Sequence, residues 1–210
     1  MSADYRVGYL APMSLFPLIL ASLALAEPGA PASAPLPTPT APAAASPTVP
    51  PPGVRVGQSA PQFVLPALNA SVAQALVTRT DVALGDFVGI RPPQPARALV
   101  VTFVRKADGE AMLSTLQRIH RKHGKSGVRV VAILGDDTEL ATASSWVEGL
   151  RLEYPVLRDA YRVVIDRYGI STWPLTFVIN GEGAIDGIGV ARENLETELD
   201  GILTASAARK

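Results

Sequence analysis

Apolar and polar positions fall into two rhythms along the chain from Val54 onward. "ARALVVTFV" from Ala96 is continuous, apolar and β-branched, the pattern of a strand buried on both faces. "VRVVAILG" from Val128 and "PLTFVIN" from Pro174 have the same character. Between them the spacing becomes helical. In "DGEAMLSTLQRIHRKHG", Met112, Leu116 and Ile119 share one face, with Leu113 beside them. Asp108 suits the N-cap, Glu110 the positive first turn, the basic residues the last turn, and Gly124 the end. "DDTELATASSWVEGL" predicts a second helix, capped by Asp137 or Thr138, with Leu140 and Trp146 facing inward. "YPVLRDAYRVVIDRYGI" predicts a short extended lead-in at Tyr154-Pro155, then a helix ending near Gly169. "GEG" is a tight turn into a returning strand, "AIDGIGV". "NLETELDGILTAS" is a closing helix with Leu195, Leu199 and Ile202 at helical spacing.

The order is parallel βαβ first and an antiparallel hairpin later. It predicts an α/β domain with a mixed central sheet and helices on both faces. The folded domain is expected over 54–205, with a short tail at 206–210.

The first 53 residues have a different texture. "SLFPLILASLALA" from Ser14 is a short apolar core behind Arg6, and Ala24-Leu25-Ala26 fits a small-x-small cleavage site. Residues 1–26 are therefore expected to be an export signal. The alternative is an uncleaved anchor, although the stretch is shorter than the roughly 20 residues of a spanning helix. Residues 27–53 are almost wholly Pro, Ala, Ser and Thr, which favours an extended, disordered tether. The expected location is periplasmic or extracellular, or the inner membrane if the anchor persists.

Composition narrows the chemistry. The 210 residues carry 19 basic and 19 acidic side chains, so charge suggests neither a nucleic-acid nor an acidic-membrane partner. There is no cysteine, which excludes disulfides, thiolate catalysis, cysteine-ligated zinc and lipoprotein acylation. The two histidines, His120 and His123, lie at i, i+3 in "RIHRKHGK" and read as a basic helix end rather than a metal site. The sequence holds no phosphate-binding Gly-Lys-Ser/Thr loop and no Gly-x-Ser-x-Gly elbow. No cofactor is implied.

Several stretches, taken in order, resemble the thioredoxin-fold redoxins, the AhpC/TSA and TlpA/ResA-like group. "VGQSAPQFVLPAL", Val56 to Leu68, resembles the family opening, and "VALGDFVG", Val82 to Gly89, the segment before the central strand. "ALVVTFV" resembles that strand, and "EYPVLRDAYRVVIDRYGISTWPLTFVINGEGAI", Glu153 to Ile185, is the strongest match. The resemblance implies a thioredoxin-like fold and places Pro174 where the family carries a cis-proline beside its reactive site. It also implies a cysteine at the start of the first long helix. Here that region reads "VRKADGEAML", Val104 to Leu113, and no register supplies sulfur.

The expectation is a redox-silent binding or assembly module rather than an enzyme. Its groove is expected to involve Trp173, Pro174, Asp108, Gly109 and Arg105, with an extended peptide or an envelope protein as partner. Trp173 either lines that groove or plugs it. The alternative is a thiol-disulfide oxidoreductase or peroxiredoxin-like protein, by resemblance alone, that borrows a partner's thiol.

Overall fold

A computed structural model describes residues 53–189 and 194–208. The expected export segment, and all but the last residue of the Pro/Ala-rich stretch, lie outside the described residues. The central sheet has five strands in the order β5-β4-β3-β6-β7. These are β3 (Ala98–Val104), β4 (Val128–Leu134), β5 (Val156–Arg158), β6 (Leu175–Asn180) and β7 (Ile185–Ile188). β3, β4 and β5 run parallel; β6 and β7 are antiparallel to their neighbours. The α/β architecture and the mixed sheet agree with the expectation.

β3 is buried at every position, and its alternation splits the core in two. Leu99, Val101 and Phe103 face one layer with α4 (Val163–Tyr168) and α1 (Ala70–Val77). Phe103, Tyr168 and Phe177 form a cluster there, with ring centroids 5.1 to 5.7 Å apart. Ala98, Val100 and Val104 face the other layer, packed by α2 (Lys106–His123), α3 (Leu140–Gly149) and α5 (Leu195–Ala208). Met112, Leu113, Leu116 and Ile119 of α2 are all buried, as their spacing requires. Glu196 ties α5 to α2 through an ion pair with Lys122.

The structure departs from the sequence reading at several ends. Residues 64–86 add a two-stranded antiparallel sheet, β1 (Val64–Pro66) with β2 (Asp81–Ala83), around α1. The lead-in at Tyr154-Pro155 continues into a true strand, β5. α4 starts only at Val163, because the buried Asp159 carboxylate accepts the N–H groups of Val164 and Ile165, each at 2.8 Å. Its C-terminus closes on Gly169, whose φ of +68° suits glycine. α3 begins at Leu140 behind Glu139 without a side-chain cap, so neither Asp137 nor Thr138 caps it. Leu140 is exposed rather than inward. α5 continues to Ala208, past the expected domain end.

Candidate functional site

Three segments converge where β3 and β4 end and β6 begins. The register pairs Val104 with Leu134 and Phe103 with Leu175. Arg105, Gly135 and Pro174, each next in line, are therefore neighbours. The corner has a buried floor: Thr102 on β3 and Thr176 on β6 share a hydrogen bond of 3.1 Å between hydroxyls.

The Trp173–Pro174 peptide bond is cis. Pro174 is exposed, as are Ser171 and Thr172 before it, and Trp173 is half-buried. The backbone of these residues precedes the β6 ladder and forms no turn hydrogen bond to another described residue. The Trp173 ring lies beneath Arg105, whose guanidinium carbon is 5.6 Å from the ring centroid. Its far edge presses on Gly135. A Cβ at Gly135 would stand 2.6 Å from Trp173 Cη2 and 2.2 Å from Ile165 Cδ1. The ring is therefore held between a cation, a bare backbone and the Ile165 side chain.

Arg105 also pairs with Asp108 through Nη2 and Oδ2. Of the residues expected at the groove, Arg105, Asp108, Trp173 and Pro174 thus gather at one corner. Gly109 is buried and turns inward: a Cβ there would lie 3.1 Å from Val104 Cβ and 3.7 Å from the Trp146 ring.

Asp108 is not the N-cap of α2. The helix already begins at Lys106, so Asp108 lies inside its first turn. The cap comes from another segment: Asp136 Oδ2 accepts the Lys106 N–H at 2.7 Å, and Oδ1 accepts the Thr138 N–H at 3.1 Å. Burial pushes the Asp136 carboxyl up. Hydrogen bonds from the Thr138 side chain and from both N–H groups, with the Lys106 charge, outweigh burial and hold it below the ordinary carboxylate value. Asp136 and Gly135 were not among the residues expected at this site. Their only sequence signal is a position just past an apolar run, and parallel pairing of β3 with β4 brings them 30 residues back to α2.

This corner has no nucleophilic sulfur, because the chain has none. Among the described residues no group of three or more His, Asp and Glu side chains could hold a metal ion. No described helix is long and apolar enough to cross a membrane.

Comparison with known proteins gives a consistent picture. The model of the AhpC/TSA family matches residues 56–188. A thiol-disulfide oxidoreductase ResA from Oceanobacillus iheyensis is 27% identical over 136 residues, which is 64% of this chain and 64% of that protein. The chain thus matches under two thirds of that relative's length. ResA from Bacillus subtilis is 37% identical over 65 residues, 30% of this chain and 36% of that one. In structure, a putative thiol:disulfide interchange protein DsbE from Chlorobium tepidum superimposes with a TM-score of 0.59 at 21% identity, covering 72% of this chain and 99% of that one. The thioredoxin domain of a thiol-disulfide oxidoreductase from Bacteroides vulgatus gives 0.56 at 15% identity, covering 72% and 99%. The fold is thioredoxin-like.

Proposed function

The chain belongs to the AhpC/TSA family, and because it does so without a cysteine, we propose that it is a redox-silent member whose site binds rather than reacts. Its ligand in this reading is an extended peptide segment of an envelope protein. The segment pairs with the exposed backbone of Ser171 to Trp173, adding a strand to the corner before β6. The observation that carries the reading is the seat of Trp173. The ring lies between Arg105 and Gly135, and in this reading it holds the backbone beside Pro174 in place. Trp173 acts as a plug that shapes the peptide edge. Arg105, already bridging Trp173 and Asp108, sets the charge at its rim.

The domain works outside the cytoplasmic membrane in this reading, delivered by residues 1–26 and tethered by the Pro/Ala-rich stretch. Cell fractionation that finds the chain in the cytoplasm would remove that part.

Fluorescence tests the binding. The chain has two tryptophans, so a Trp146→Phe background leaves Trp173 as the reporter. Peptides captured by the mature chain from its own envelope fraction should shift Trp173 emission and slow amide exchange at 171–173. Trp173→Ala should weaken them about tenfold, because the backbone edge that pairs with the peptide loses the ring that holds it in place. Unchanged affinity in Trp173→Ala would sink the reading. So would turnover above background in insulin reduction or peroxide consumption by the purified protein.

A further inference from the structure

A second cavity lies at the far end of α2, whose eighteen residues span about 27 Å. It owes its existence to a short strand. β5 pairs only with Ala132–Leu134, so no described strand covers the outer edge of the first half of β4, the edge away from β3. Ala132 sends its N–H outward, to Pro155 O at 3.1 Å. Val130, two residues earlier, keeps that outward parity with no strand opposite. The corner left open holds a pocket of about 390 Å³. Phe87, Val130 and Pro155 give it apolar wall, and His120, Lys125 and Arg129 give it polar wall. A second hollow of about 420 Å³ continues from it along α1, past Val72 and Ala75, and shares Leu76, His120 and Glu153 with it.

Some polar atoms here have no hydrogen-bond partner among the described residues. Among the described residues, five buried side-chain nitrogens have no hydrogen-bond partner. Two of them, His120 Nδ1 and Arg129 Nε, belong to residues lining this pocket. A third, Gln117 Nε2, lies one helical turn before His120. Leaving buried nitrogens unpartnered is costly, and two of the five belong to residues on the wall of this one cavity. The charges agree. Arg121 is already engaged by Glu153, with Nη2 to Oε1 at 2.6 Å. Lys125 and Arg129 have no ion pair among the described residues. Arg129 is braced instead by donating from Nη1 to Gly124 O at 3.0 Å. His120 is held neutral: burial lowers its pKa first, Arg129 and Arg121 add to that, and Glu153 opposes them.

We propose that this corner binds a small, soluble amphipathic anion, with its carboxylate or phosphate head on Arg129, Lys125 and His120 and its apolar body along α1. Head and body are both required by this arrangement: the cations give orientation, and the apolar hollow gives affinity. The inference does not depend on the peptide-binding reading, since the two sites lie at opposite ends of α2.

Calorimetry on the mature chain tests it with octanoate and octyl phosphate, against inorganic phosphate and octanol. One of the two amphiphiles should bind saturably at one site, about tenfold or more tighter than either control. Arg129→Met should lose about tenfold in affinity. Because Arg129 also braces Gly124, the exposed-residue variants Lys125→Met and Ala75→Glu repeat the test without disturbing packing, and each should weaken binding severalfold. Saturation by neither amphiphile overturns the proposal. So does phosphate binding as tightly as octyl phosphate, or unchanged affinity in both exposed-residue variants with thermal melts that match the parent.

Discussion

Replacing Asp136 by alanine should loosen the start of α2, although the two lie 30 residues apart in sequence. The carboxylate accepts two backbone N–H groups, from Lys106 at 2.7 Å and from Thr138 at 3.1 Å. Removing a carboxylate cap of this kind costs about 0.5–2 kcal/mol. The second hydrogen bond and the partial burial of the site put the expected loss in the upper half of that range, about 1–2 kcal/mol. In a domain of this size each kcal/mol corresponds to about 2–4 °C in melting temperature. Urea and thermal melts of Asp136→Ala beside Asp108→Ala measure the difference. Asp108 makes only an exposed ion pair with Arg105, so its loss should stay within about 0.5 kcal/mol. The pH dependence adds a second check. The Asp136 pKa is lowered on folding, so its stabilisation is full above the ordinary value of 3.8 and is lost as pH falls through the lower folded value. The gap between parent and variant should close in that acid range. A larger loss for Asp108→Ala than for Asp136→Ala would refute the assignment and return the cap to Asp108.

Gly135→Ala forces a methyl group to within 2.2 Å of Ile165 Cδ1 and 2.6 Å of Trp173 Cη2. Ile165 is fully buried, so the half-buried Trp173 ring should yield, at a cost of about 1–3 kcal/mol and with red-shifted emission. Emission identical to the parent in a Trp146→Phe background would show that the ring does not rest there. Asn69→Ala removes a buried clamp in which Nδ2 donates to Tyr154 O and Oδ1 accepts the Val156 N–H, both at 2.9 Å. Two buried backbone groups are left unpaired, so urea melts should show a loss of about 2–4 kcal/mol, and a loss near zero would mean that the α1–β5 junction is not held by this side chain.

The central strands and α2 were legible because their apolar patterns are long: β3 is interrupted only by Thr102, and in α2 the one-sided spacing runs from Met112 to Ile119. β1, β2 and β5 were not read as strands, because each has three residues and neither β1 nor β2 offers a continuous apolar run. The two capping errors share one cause. Local rules assign a cap to the nearest suitable side chain, Asp108 for α2 and Asp137 or Thr138 for α3. The fold instead delivers Asp136 to α2 across the β3–β4 pairing. The candidate site was partly legible through the stretch before Pro174. Its assembly was not, since Arg105 meets Trp173 only through the β3–β6 register. Gly109 was misplaced for a related reason: once α2 begins at Lys106, the helical turn carries Gly109 toward Val104 and Trp146.

The Asp136 cap also bears on reversibility. A helix N-terminus activates a thiol by offering its free N–H groups to the thiolate. Here the first of those groups is already taken by a carboxylate, and that carboxylate brings a negative charge to the spot. A sulfur introduced into the first turn of α2 would compete with Asp136 for donors and be repelled by it, which would hold its thiol pKa up. Placing a sulfur in the first turn of α2 would therefore not by itself place a thiolate there.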